Sequence, residues 1–238
     1  MQNGAPILEI CDVYKRFGGI EALADCSVSV AEHEIVGLIG PNGSGKTTLF
    51  NLLVGYMAPD AGRIMFRGED IVGLRPYQIA RKGMARTFQI TRIFPQMTVM
   101  ENLLLPARGA NVGEKASELL ELVGLSAFAH EYANDLSFGQ QRLLSIAQVL
   151  MLEPSLVLLD EPAAGVNPAM QHKIIDLVHR LNREGRTFLI VEHNMDLVMN
   201  VADRVLVMDY GQHLFEGAPA DVQKNDAVVA AYLGGELM

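Results

Sequence analysis

Cysteine is scarce: Cys11 and Cys26 are the only two among 238 residues. They show no C-x-x-C spacing and no paired histidine, which excludes a dithiol redox motif as the organising chemistry. The expectation is two reduced thiols in buried strands of a cytosolic protein. Basic residues are in deficit too, with 19 Lys and Arg against 28 Asp and Glu and a formal charge of −9. That balance argues against broad electrostatic binding to nucleic acid or to an anionic lipid surface, so no nucleic-acid partner is expected. Long apolar runs are missing. The best candidate, residues 149–159, is broken by Glu153 and Pro154, and nothing approaches the roughly 18 uninterrupted residues of a membrane span. The first six residues carry no basic segment ahead of an apolar one, so no secretory signal is expected. What is present is a half-hydrophobic composition, enough to bury the core of one large α/β domain.

The most informative stretch is Gly40, Pro41, Asn42, Gly43, Ser44, Gly45, Lys46, Thr47, Thr48. An apolar run, residues 35–39, leads into it, and a second, residues 49–54, leads out before Gly55. Strand, glycine loop, helix is the setting in which G-x-x-x-x-G-K-[ST] makes a phosphate cradle. Glycines let backbone N–H groups approach the oxygens without an intervening side chain. The new helix presents free N–H groups and the positive end of its dipole. Lys46 supplies a charge for the β and γ oxygens, and the Thr47 hydroxyl suits Mg²⁺.

Around this loop the chain alternates strands and helices. Strands are predicted over 7–13 and 26–30, with Gly18 and Gly19 between them, and over 63–66. A short helix is expected over 76–82, entered through Pro76. From about 98 to 135 the pattern turns helical, Leu119, Leu120, Leu122 and Val123 marking an apolar face that Gly124 closes. The next helix opens at Ser137 as N-cap and buries Leu143, Ile146, Ala147, Leu150 and Met151. Residues 156–159 form an unbroken apolar run that suits a central parallel strand, and it ends in Asp160 and Glu161. Paired acids at the carboxyl end of such a strand point to the edge where open α/β sheets bind ligands. Asn167 and Pro168 read as cap and first residue of a helix reaching Gly185. Residues 187–191 give another buried strand, followed by Glu192 and His193. A hairpin over 205–216 and two short helices near Asp221 and Val228 complete the chain.

Phosphate loop, Gln89, the string Leu136 to Gln141 and then Asp160, Glu161 and His193 occur in one order. This resembles the ATP-binding subunit of ABC transporters over nearly the whole chain. The short string Leu-Ser-x-Gly-Gln about twenty residues ahead of a hydrophobic strand and Asp-Glu-Pro is the feature other P-loop proteins lack. Residues 161–168 and 231–234 look like the branched-chain amino-acid importer subfamily. The resemblance implies an α/β fold: a P-loop NTPase core of RecA-like type, a small antiparallel β subdomain, and an inserted α-helical subdomain over about 98–152. It implies ATP and Mg²⁺ as cofactors. Lys46 and the loop backbone from Gly40 to Thr48 would hold phosphates. Thr47 and Asp160 would serve the metal, with Gln89 reaching the metal or the attacking water. Glu161 would be the general base, His193 the group touching the γ-phosphate, and Phe17, with Tyr14 as the second candidate, the aromatic stacked on adenine.

Ser137, Phe138, Gly139 and Gln140 would serve the nucleotide of a second ATP-binding subunit, identical or paralogous, since the family clamps ATP between two subunits facing head to tail. Residues 89–98, with Ile90, Arg92, Ile93, Phe94 and Met97, look like the docking surface for membrane permease subunits. The ATPase would then sit peripherally on the cytoplasmic face of the inner membrane. Three positions depart from the common pattern: Phe138 replaces a glycine, Asn167 an aspartate and Gln148 an arginine. The same resemblance leaves other systems open, including a urea or amide importer, a lipid-extraction exporter and a non-transport switch ATPase. A P-loop kinase fits less well, because it would need an acceptor pocket and lid.

Overall fold

The computed structural model describes residues 5–87, 93–107 and 109–234. Its centre is a six-stranded sheet, and the strands that form it read as continuous apolar runs because both faces are covered. In chain order the described strands are β1 (Leu8–Phe17), β2 (Ile20–Val30), β3 (Ile35–Ile39), β4 (Ala61–Phe66), β5 (Glu69–Asp70), β6 (Met84–Arg86), β7 (Leu156–Asp160), β8 (Thr187–Val191), β9 (Arg204–Asp209) and β10 (Gln212–Gly217). The large sheet has the order β10-β9-β3-β8-β7-β6. Within it β9, β3, β8, β7 and β6 are parallel, and β10 closes one edge as an antiparallel hairpin arm.

Alternation along these strands explains the unbroken hydrophobicity. Val157 and Leu159 of β7, with Phe188 and Ile190 of β8, pack into one core. Leu156, Leu158, Leu189 and Val191 point to the other face and join a second core. The first core is closed by the helices α3 (Val99–Leu104), α4 (Val112–Leu122), α5 (Phe138–Leu150) and α6 (Pro168–Arg183). The second holds α1 (Lys46–Leu53) between the large sheet and an antiparallel sheet of order β2-β1-β4-β5. A third, smaller core packs β9 against α7 (Met195–Val201), α8 (Pro219–Val222) and α9 (Asp226–Gly234). The remaining helix, α2 (Pro76–Lys82), lies ahead of β6 and begins at Pro76 as expected.

The structure revises three expectations. The first two strands are longer than predicted and meet in a hairpin at Gly18 and Gly19, Phe17 facing Ile20 across the pair. The polar residues that hid this, such as Lys15 and Glu21, lie toward the solvated end of the hairpin. The strand ending in Asp160 is interior but sits next to the edge strand β6, so it is not the middle of the sheet. Cys26 is buried, but Cys11 is only half-buried. Burial pushes the Cys26 thiol up to about 12, with the charge of Asp25 adding to it. Both cysteines are free.

One cation ties the two sheets and the hairpin. Arg204 of β9 forks onto Glu34, at 2.7 Å from Nε and 2.9 Å from Nη2, and also reaches Glu216 of β10 at 2.8 Å and the Ser29 carbonyl of β2 at 2.7 Å. The planar fork satisfies four acceptors at once, which an ammonium group lacks the geometry to do. Arg204→Lys should therefore lower unfolding stability by about 1–3 kcal/mol in a denaturant titration, with no change in the cooperativity of the transition.

Candidate functional site

The parallel pairing of β3, β8 and β7 brings three separate chain segments to one edge. Their register places the ends of β3 at Ile39, β8 at Val191 and β7 at Asp160 on the same side. From these ends emerge the phosphate loop, His193 and Glu161, which are 32 or more residues apart in sequence. This is the carboxyl edge at which such sheets collect ligand-binding groups.

The loop is shaped by its glycines where the chain comes closest to its neighbours. Gly40 has φ +153, and a Cβ there would lie 2.2 Å from the Met208 carbonyl oxygen. Gly45, φ +101, stands in the N-cap position of α1, where a Cβ would meet the Ala22 carbonyl oxygen at 2.6 Å. Gly45 brings no side chain to cap α1, so the first N–H groups of the helix are presented to a ligand anion. Lys46 folds back over the loop and donates to the carbonyls of Gly40 at 2.7 Å and Pro41 at 2.9 Å, and to Ser44 Oγ at 3.2 Å. Burial pulls the Lys46 ammonium down from its ordinary range, and the nearby charge of Glu161 opposes that. A cation gathered by three oxygens beneath a cage of N–H groups is a site for an anion.

Glu161 adopts the left-handed region at φ 46, unusual for a residue with a long side chain. The turn is held by its own N–H donating to the Val191 carbonyl at 2.8 Å. It aims the carboxylate at His193, whose Nε2 lies 2.7 Å from Glu161 Oε1. The Glu161 carboxylate is largely buried and the His193 ring half-exposed. Asp160 is tied from the other side by Arg86, whose Nη2 is 2.6 Å from Oδ2. Arg86 also reaches Asn51 of α1 at 2.7 Å and lies 5.2 Å from the Phe50 ring centroid.

Ser137 caps α5 in a capping box: the Gln140 N–H donates to Ser137 Oγ at 3.4 Å, and the Ser137 N–H donates to Gln140 Oε1 at 2.8 Å. Phe138 is half-exposed beside Arg142 and packs near Gly165, while Gly139 faces Met170. The hydrogen bonds described for Ser137 and Gln140 stay within this helix start. Phe17 ends β1 half-exposed, with Lys15 Nζ 5.7 Å from its ring centroid. Tyr14 sits among the carboxylates Asp25, Asp12 and Glu21, poor neighbours for a polyphosphate. Thr47 is exposed in the first turn of α1. Gln89 lies outside the described residues, as do Ile90 and Arg92. Among the described residues a groove of about 460 Å³ runs between Thr87, Phe94, Leu105, Pro106, Gln148 and Leu152.

A sequence model of the ABC transporter family matches residues 23–164. The chain belongs to the ABC transporter family. A second model, of branched-chain amino acid ATP-binding cassette transporters, matches residues 212–237 of this cassette. The cassette is 41% identical to the high-affinity branched-chain amino acid transport ATP-binding protein BraF of Pseudomonas aeruginosa, covering 96% of this chain and 98% of that protein. It is 36% identical to the probable branched-chain amino acid transport ATP-binding protein LivG of Methanocaldococcus jannaschii, covering 98% and 100%. Among solved structures, the ADP conformation of MJ1267, an ATP-binding cassette of an ABC transporter, superposes with a TM-score of 0.91 at 36% identity, covering 97% of this chain and 100% of that one. A dimeric post-hydrolysis state of the cassette MJ0796, bound to ADP and Pi, gives 0.80 at 27% identity, covering 89% and 98%.

Several residues of the ABC site were not singled out from sequence. Arg86 and Asn51 belong to Asp160's surroundings, and only the fold brings them there. Arg142 is nearly inaccessible in α5. Burial pulls its guanidinium down, opposed by Glu192, Asp160 and Glu161. Tyr232 of α9 comes against the loop: burial pushes its phenol up, and a backbone hydrogen bond from Gly40 partly offsets this. A polar residue inside an apolar helix face was the one available signal for Arg142. The close approach at Gly40 has a direct consequence. Gly40→Ala should cost about 1–3 kcal/mol of stability and weaken nucleotide binding, as read by thermal unfolding with and without ATP.

Proposed function

We propose that this cassette is the ATP-hydrolysing, energy-coupling subunit of an importer for branched-chain or related amino acids. The observation that carries the chemistry is the meeting of Lys46, Asp160, Glu161 and His193 at one sheet edge. The cargo class rests on the relatives named above and on the family match of the C-terminal segment.

In this reading the Gly40–Thr48 backbone and Lys46 hold the triphosphate. Phe17 offers its exposed ring to adenine. The Thr47 hydroxyl and the Asp160 carboxylate are hard oxygen donors of the kind Mg²⁺ takes, and Gln89 would complete that set. The metal, when bound, would neutralise charge on the β and γ oxygens. Glu161 accepts a proton from the attacking water, and its partner His193, 2.7 Å away, orients the carboxylate and turns to the γ-phosphate when ATP arrives. Arg86 keeps Asp160 in place.

A second ATP-binding subunit, identical or paralogous, supplies the other wall of the site. Ser137, Phe138, Gly139 and Gln140 form a prepared helix start that faces the partner's phosphates. Contacts to the γ-phosphate exist only before hydrolysis, so closing and opening follow the chemistry. The helical subdomain over about 98–152 and the segment 89–98 carry that movement to the permease subunits, and the groove beside Phe94 and Leu105 is where a short permease helix would lie. Among the described residues no helix is long and apolar enough to cross a membrane. In this reading the cassette sits peripherally at the cytoplasmic face of the inner membrane, beside its permease partners, as the transport role of its relatives suggests.

Lys46→Ala should weaken ATP binding, since the anion cage loses its only buried ammonium. Glu161→Gln should keep ATP affinity, accumulate a closed dimer in gel filtration, and slow single-turnover hydrolysis about 10²–10⁴-fold. Turnover by Glu161→Gln at the parental rate would refute the base assignment. Reconstitution with its permeases and a solute-binding protein, followed by uptake of labelled leucine, tests the cargo class.

A further inference from the structure

Glu192 is a buried carboxylate that neither the phosphate cradle nor the proposed proton transfer uses. It directly follows β8, is 3% exposed, and its two oxygens face two different chain segments. Oε1 accepts from the Ala163 N–H at 2.8 Å, in the loop that follows Glu161. Oε2 accepts from the N–H groups of His193 at 3.2 Å and Asn194 at 3.4 Å. We infer that Glu192 is a positioning residue for hydrolysis, whose carboxylate fixes the separation of Glu161 and His193 by holding the backbone beside each of them on one of its oxygens. This deepens the ATPase reading above and rests on it.

A carboxylate is needed because both ends of the bridge are donors. Three N–H groups converge on it, and a buried donor without an acceptor costs about 1–3 kcal/mol. A glutamine at the same position keeps one acceptor oxygen, and its NH₂ group faces an N–H on the other side. An aliphatic residue leaves every donor unmet. Burial pushes the Glu192 carboxyl up, while the N–H groups of Ala163, Asn194 and His193 hold it back and the charge of Glu161 adds to the rise. From α5 the buried Arg142 bears on the same group, its charge drawn to Glu192, Asp160 and Glu161. Asn194 has its own task as the cap of α7, accepting from Leu197 N at 3.2 Å. The bridge therefore links a packed helix start on one side to the buried Ala163 on the other. Glu161 and His193 project from either end of it.

The test uses the full chain, Mg-ATP, and single-turnover hydrolysis with the protein in excess. Glu192→Gln should bind ATP within about twofold of the parent yet hydrolyse it about tenfold more slowly or worse. In a His193→Ala background the same substitution should change the residual rate by less than about twofold, because the geometry it maintains has already lost one member. A general weakening of the fold would instead multiply through both backgrounds and move ATP affinity as well. Parental turnover by Glu192→Gln, or a full multiplicative loss in the His193→Ala background, overturns the assignment. Glu192→Asp, which keeps the charge but shortens the reach, meets the same criteria. If neither Glu192 variant unfolds cooperatively, the residue serves the fold and the inference fails. Absence of hydrolysis in the unsubstituted chain counts against the ATPase reading itself and is distinguishable from all of these outcomes.

Discussion

The parallel pairing of β8 between β3 and β7 is the constraint on which the site depends. Each strand donates one chemical element at its carboxyl end: a phosphate cradle, a histidine, a pair of acids. Slip one strand by a residue and the alternation that buries Val157 and Leu159 on one face and Leu156 and Leu158 on the other would invert. The hydrophobic register thus fixes the catalytic register. The packing energy of two apolar cores holds three polar loops at bonding distance.

Within that frame the polar groups form a connected set. Lys46 is bound by loop carbonyls, Asp160 by Arg86, Glu161 by His193, and Glu192 by the backbone on either side. Buried charges at this density are costly unless each finds a partner. Here each of these four does, which preorganises the edge for charge that develops on a phosphate. Three of the contacts involve groups a nucleotide would itself engage. In the proposed function Lys46 and His193 would exchange internal acceptors for phosphate oxygens, and a ligand shifts an equilibrium of states only by the difference between the two sets of contacts.

The peripheral parts follow a different logic. Phe138 and Ser137 stand at a helix start where the side-chain hydrogen bonds described for Ser137 and Gln140 join only each other. Phe17 and the groove beside Phe94 and Leu105 leave large apolar surfaces in solvent. These are the exposed apolar groups on which the proposed function relies. The proposed function assigns these surfaces to a nucleotide base, a second ATPase subunit and a permease helix.

Much of this was legible in the chain itself. The glycine pattern, the unbroken apolar run ahead of Asp160 and Glu161, the caps at Ser137 and Asn167, and the helix begun by Pro76 are local signals, because backbone geometry and burial act over a few residues. The long β1–β2 hairpin escaped, since its solvated end carries polar residues that break the apolar pattern. So did the position of β7 next to a sheet edge, because strand order is set by which runs pair and not by their composition. Tertiary structure alone decided that Arg86 guards Asp160, that His193 meets Glu161, that Tyr232 reaches the phosphate loop from the far end of the chain, and that Glu192 faces two loops at once. Those contacts join residues up to 192 positions apart; no local pattern encodes them, and only the closing of a common core brings them within a hydrogen bond's reach.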